Sequence, residues 1–87
     1  MSLQSKRKLA NLRDGSGRPA IFFAAVNNDL GLLKLLISNG ADPRAIDKQG
    51  RCILHYAAMN GGRSLLIYII GLLHRIRAKN LTHNHFE

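Results

Sequence analysis

The sequence predicts an all-α protein, a short solenoid of stacked antiparallel helix pairs with β-hairpin-like loops projecting to one side. Three observations carry that prediction. The first is self-similarity. Gly17-Arg18-Pro19-Ala20-Ile21-Phe22-Phe23-Ala24-Ala25-Val26-Asn27-Asn28 returns 33 residues later as Gly50-Arg51-Cys52-Ile53-Leu54-His55-Tyr56-Ala57-Ala58-Met59-Asn60-Gly61, and Asp14 and Asp47 keep the same offset. A fixed period of this length marks a stacked repeat, in which each unit buries its apolar faces on its neighbours. The second is spacing: Ile21, Ala24 and Ala25 fall at i, i+3 and i+4, one stripe of a helix, as do Leu54, Ala57 and Ala58. The third is punctuation of the apolar segments by polar turns bearing glycine.

From the N-terminus, residues 2–12 read as a short basic helix with Leu3, Leu9 and Leu12 on its apolar face, broken by Asp14-Gly15-Ser16-Gly17. Residues 19–27 form a compact helix. Pro19 suits its first turn, where a missing N–H would be unpaired anyway, and the small Ala24 and Ala25 imply close packing. Asn28 or Asp29 caps a second helix over 30–38, whose Leu32, Leu33, Leu35, Leu36 and Ile37 leave Lys34 solvated. Asn39-Gly40 stops it, Gly40 suiting the left-handed residue after a helix. In the polar excursion 41–50, Pro43 keeps Asp42 out of helical conformation. The cycle then repeats, with a short helix over 52–60, a Gly61-Gly62 turn and a longer helix from Arg63. Leu72-Leu73 stand where Asn39-Gly40 ended the first long helix, so the second is expected to run on to Arg75–Arg77. Residues 80–87 lack periodicity and are expected to form a flexible tail.

Eighty-seven residues, 46% of them hydrophobic, suffice for one small core and exclude a disordered chain. Stability is expected to be marginal without a staple. Cys52 is the single cysteine, so no intrachain disulfide can supply one, and an intracellular setting, cytoplasmic or nuclear, is expected. The basic start has no apolar run behind it, so no secretory leader is expected. The longest apolar block, 65–73, is far shorter than the roughly 20 residues a bilayer span needs. Thirteen Lys+Arg against five Asp+Glu leave a formal charge of +8. That favours acidic partners: an acidic protein first, with nucleic acid or an anionic membrane surface as alternatives.

Taken together, these residues resemble the ankyrin-repeat family. Asp47-Lys48-Gln49-Gly50 matches the family's D-x-x-G turn and Leu54-His55-Tyr56-Ala57-Ala58 most of its T-P-L-H-x-A-A helix. Gly61 matches the inter-helix glycine, and Asn39-Gly40-Ala41-Asp42-Pro43 the closing loop. The resemblance covers about residues 11–79 and implies a basic N-terminal helix over 1–13 left from a preceding repeat or cap. Repeats over 14–46 and 47–79 follow, the second with an extended last helix, and then the tail. Gly17, Ala24, Ala25, Gly40, Gly50, Leu54, His55, Ala57, Ala58 and Gly61 become structural positions, with Leu54 expected in the core. The family's Thr is Pro19 in one copy and Cys52 in the other, and its His is Phe22 in the first, so both turns are expected to be less tightly locked. Two full repeats imply either part of a longer array, in which the chain would be purely architectural, or self-association through 65–76.

The resemblance implies a non-catalytic protein-interaction module or scaffold segment. Cys52, His55 and Asp47 include nucleophile and base types, but in register they fall on structural positions, so no enzyme is expected. His74, His83 and His85 lack the converging third and fourth ligands that metal sites need, so neither metal nor cofactor is expected. Lys6-Arg7-Lys8 reads as a solvated basic face rather than a localisation signal or a nucleic-acid patch. Partners of ankyrin-like stacks lie against the hairpin tips and the exposed side of the short helices. That implicates the aligned pairs Arg18 and Arg51, Phe23 and Tyr56, Val26 and Met59, and Asn27 and Asn60, with Arg13, Ile46 and Lys48 at the tips. A basic rim beside an aromatic-apolar stripe suits an acidic peptide with apolar anchors, Arg51 and Tyr56 foremost.

Overall fold

A computed structural model describes residues 3–60 and 62–84, with side chains over 4–60 and 62–79. Gly61, one of the structural positions named above, lies outside the described residues, as do residues 85–87. Among the described residues the fold has five helices: α1 (Leu3–Ala10), α2 (Ala20–Val26), α3 (Leu30–Ser38), α4 (Ile53–Met59) and α5 (Arg63–Asn84). No strand occurs among the described residues; an isolated antiparallel bridge pairs Arg13 with Pro19 in the first hairpin-like turn. Helix α2 packs on both α3 and α4, and α4 packs on α5, giving two helix pairs side by side.

The two turns are built alike, down to their hydrogen bonds. Asp14 Oδ1 accepts from the amides of Ser16 and Arg18, and Asp47 Oδ1 from those of Gln49 and Arg51, all at 2.9 Å. Gly17 and Gly50 both sit at φ +76°, where glycine carries no steric cost. The expectation of looser turns concerned the start of the helices, and there the two copies differ. Cys52 donates its amide to His55 Nδ1 at 3.1 Å, which places the imidazole proton on Nε2. Pro19, the residue before α2, has no N–H to satisfy, and Phe22, in the place of that histidine, is buried instead.

Asp29 caps α3 by accepting from the Leu32 amide at 3.0 Å. Gly40 follows α3 at φ +96°, with its α-carbon face against the Arg7 side chain of α1. Alanine there would combine a left-handed backbone with a clash. Gly40→Ala is expected to destabilise by more than about 1 kcal/mol, measurable as a lower urea midpoint at unchanged slope.

Helix α5 continues to Asn84, past the expected end at Arg75–Arg77 and into the segment read as a flexible tail. The difference is local: Asn39-Gly40 supply a stop that Leu72-Leu73 do not, and Ala78 and Lys79 are good helix formers. Helix α1 ends at Ala10, two residues before the expected end at Leu12. Asn11 ends it by donating Nδ2 to the carbonyls of Arg7 and Gly40 and accepting the Asp42 amide on Oδ1, which ties α1 to the loop after α3.

The core comprises Ile21, Phe22, Ala24, Ala25, Leu33, Ile53, Ala57, Leu65 and Ile69, with Ala10 and Ala41 at its margin. Leu54 is not in it. It is half-buried, and His55 and Ala58 are exposed, whereas their counterparts Ile21, Phe22 and Ala25 are fully covered. The reason is position in the stack: α4 lies over that face of α2, and no helix of the described residues lies over the same face of α4. Nor is any described helix long and apolar enough to cross a membrane.

Candidate protein-binding surface

The hairpin tips are tied to one another by the basic residues that the sequence placed there. Arg13 donates through Nη1 to the carbonyls of Gly17, at 2.7 Å, and Ile46, at 2.8 Å, bridging one turn to the next. Lys48 lies along Gly17, its methylenes where a β-carbon on that glycine would meet them. Both side chains remain exposed, so the tips keep their charge while acting as ties between repeats.

Phe23 and Tyr56, equivalent in sequence, are placed differently. The Tyr56 hydroxyl donates to Asp47 Oδ2 at 2.5 Å, its ring lies 5.4 Å from that of Phe22, and the Arg51 guanidinium sits 5.6 Å from its centroid. Phe23 lacks a hydroxyl and is 66% exposed. That one oxygen separates the two turns electrostatically. The Asp47 side chain is 1% exposed and Asp14 53%, although Arg51 and Arg18 stand at 3.7 and 3.8 Å from their respective carboxylates. The Tyr56 hydrogen bond, ahead of the Arg51 and Gln49 amides, holds the Asp47 carboxyl below its ordinary 3.8, and the same bond raises the Tyr56 phenol above 10.0. Asp14 is lowered chiefly by the Arg18 amide.

Of the remaining candidates, Asn60 donates to the carbonyls of Ala25 and Val26, an inter-repeat tie, and Asn27 donates to Phe23 within its own helix. Val26, Ile46 and Met59 are exposed, Met59 at 71%. The structure therefore sorts the expected stripe into two groups. Arg13, Arg51, Tyr56 and Asn60 are engaged in contacts within the chain, while Phe23, Val26, Met59 and Ile46 present apolar surface to solvent.

Beside Phe23 opens a cleft of about 600 Å³ lined by Leu12, Pro19, Phe23, Val26 and Asn27, with Arg13 and Arg18 at its rim. Leu12 was not among the candidates. Its counterpart Ala45 packs against the core, so the 33-residue register itself carries the signal that Leu12 occupies an uncovered packing position. Cys52 Sγ lies 3.4 Å from His55 Nδ1, but that nitrogen already accepts the Cys52 amide, a helix-start contact rather than an arranged base. No group of three or more metal-ligating side chains occurs among the described residues.

The family model for "Ankyrin repeats (many copies)" matches residues 21–70, more than half of the chain. Ankyrin repeat domain-containing protein SAT10 of Stachybotrys chartarum is 38% identical over 64 residues, 74% of this chain and 3% of that protein. The human Notch-regulated ankyrin repeat-containing protein is 35% identical over 54 residues, 62% of this chain and 47% of that protein. Mouse NF-kappa-B inhibitor delta is 41% identical over 59 residues, 68% of this chain and 18% of that protein. The matched stretch thus spans under half the length of each of these relatives. Ankyrin repeats generally act as non-enzymatic modules that bind other proteins. The turn geometry, the paired helices and these matches agree: the chain belongs to the ankyrin-repeat family.

Proposed function

We propose that this chain is a non-catalytic interaction module that binds an acidic protein segment carrying a few apolar anchors. The observation that carries the reading is the exposure of Phe23, Val26 and Met59, with Arg13 and Arg18 lining the cleft beside Phe23 and Val26, on a chain of formal charge +8. Exposed aromatic and long apolar side chains serve as anchors that a partner desolvates. A surrounding basic rim speeds encounter and rejects basic competitors. The name of one relative, NF-kappa-B inhibitor delta, describes action on another protein, which supports the same class of function here. The lone cysteine is consistent with an intracellular setting for that binding.

The test is affinity capture from cell extract by the immobilised full chain, compared with a Val26→Ser/Met59→Ser double variant. Both substitutions are at exposed positions, so circular dichroism should be unchanged. The expected result is an acidic protein retained by the wild type and weakened by about tenfold or more in the variant. Equal retention by both would reject this surface. Tight, steeply salt-dependent binding to random duplex or anionic vesicles, with no protein captured, would move the function to an anionic polymer or membrane.

A further inference from the structure

The chain carries the two halves of one interface at opposite ends of its stack. Inside it, α2 and α4 are pressed together: Ile21, Phe22 and Ala25 of α2 are fully covered, and on α4 the covered residues include Ile53, with Tyr56 half-buried against Phe22. Shifting each set by one repeat locates its uncovered equivalents. On α4, Leu54, His55 and Ala58 repeat the first set, half-buried or exposed. On α2, Ala20 and Phe23 repeat the second set and are exposed beside the cleft. The long helices follow the same rule. Ile70 is 52% exposed where Ile37 is half-buried, and Leu35 is 59% exposed where Tyr68 is half-buried.

We propose that a second copy of this chain occupies these faces head to tail, α4 and α5 of one copy packing on α2 and α3 of the next. The contact would follow the geometry of the interface already formed between the two repeats, with Leu54, His55 and Ala58 in the places of Ile21, Phe22 and Ala25, and Ala20 and Phe23 in those of Ile53 and Tyr56. One element stands in the way. Helix α1 rests on the face of α3 that α5 of the other copy would cover. It is held by Ala10, the Asn11 hydrogen bonds and the Arg7–Gly40 contact, with residues 4–9 exposed. It covers that face poorly. Leu36 beneath it is half-buried where its counterpart Ile69 is fully buried, and a hollow of about 360 Å³ remains between Leu9, Leu35 and Leu36. In the associated form α1 gives up its place to α5, exchanging a loose cover for a close one. A contact between different faces leaves one face of each kind free on a pair, so the product grows beyond a dimer, as an open stack or a closed ring.

Like charge opposes the stack, since each copy carries +8 and the cleft rim is Arg13 and Arg18. Association should therefore strengthen as salt rises from about 0.05 to about 0.5 M, the opposite of binding to a phosphate polymer. Two substitutions at exposed positions block one face each. Ala20→Glu places a charge where the equivalent Ile53 is fully buried, and Ala58→Glu does so where Ala25 is. Each should raise the concentration for half-association by about a hundredfold or more.

Sedimentation of the full chain at high salt is the experiment. The wild type should grow in mass with concentration, each variant alone should remain monomeric, and an equimolar mixture should form a dimer that grows no further. Amides of residues 3–10 should lose hydrogen-exchange protection as the wild type associates. A wild type that stays monomeric up to millimolar concentration overturns the proposal. So does either variant dimerising alone, which would mean a symmetric contact, or association that leaves α1 fully protected. The stack would cover Phe23 and the cleft that the proposed partner also uses, so capture is run at low salt and low concentration, where the chain is monomeric, and its failure there is distinguishable from a failure to associate at high salt.

Discussion

Ile53→Ala should destabilise the chain by about 2–5 kcal/mol, as expected for a fully buried aliphatic side chain cut back to a methyl group. Ile53 lies between the two repeats, covered by α2 on one side and by its own pair α5 on the other. Set against the modest total stability of so small a domain, this loss leaves much of the population unfolded at 25 °C. Leu54→Ala, one residue along, should cost about half as much or less, because Leu54 is already half-solvated and a truncation there leaves no closed cavity. Urea unfolding followed by far-ultraviolet circular dichroism compares the two directly. Equal losses would mean that something covers Leu54 in solution. Association through α4 would do so, and the comparison is therefore made at low concentration and low salt.

The second large effect is expected at Asp47. Its carboxylate is nearly inaccessible and accepts from two turn amides and the Tyr56 hydroxyl, with Arg51 alongside. Asp47→Ala removes the acceptor for all three donors at once and should destabilise far more than Asp14→Ala, whose exposed donors can turn to water. The linkage has a definite sign. The Asp47 pKa is lower folded than unfolded, so its contribution is present above about pH 4 and is lost as pH falls through the folded value. Tyr56 has the reverse sign, its contribution being present below about pH 10 and lost as pH rises through its raised folded value. Tyr56→Phe keeps the ring but removes the largest cause lowering Asp47, so the acid unfolding midpoint should move to higher pH. An unchanged acid midpoint in that variant would show that the two turn amides alone set the Asp47 titration.

Much of the architecture is legible in the 33-residue period because the forces that set it are local. Asp14 and Asp47 build the same turn since each carboxylate meets amides at the same spacing, and Gly17, Gly50 and Gly40 adopt positive φ where the chain must reverse. The end of α5 is not legible in the sequence because no local signal marks it. The turn sequence that ends α3 has no counterpart there, and loss of apolar periodicity does not by itself stop a helix. The candidate site was legible as a set of positions and not as a surface. Tyr56 and Phe23 stand at the same place in their repeats, yet one is engaged by Asp47, Phe22 and Arg51 while the other faces solvent.

The sequence by itself determined the family, the helix pairs and the turns, because residues with the same neighbours along the chain meet the same backbone and capping forces. Only the tertiary structure decided which copy of each repeated residue is buried. Burial depends on what packs across the stack, and that differs between the ends of the chain and its middle. Ile21 and Leu54, Phe22 and His55, Ala25 and Ala58 share a register and differ in fate, since α4 covers the first of each pair and no described helix covers the second.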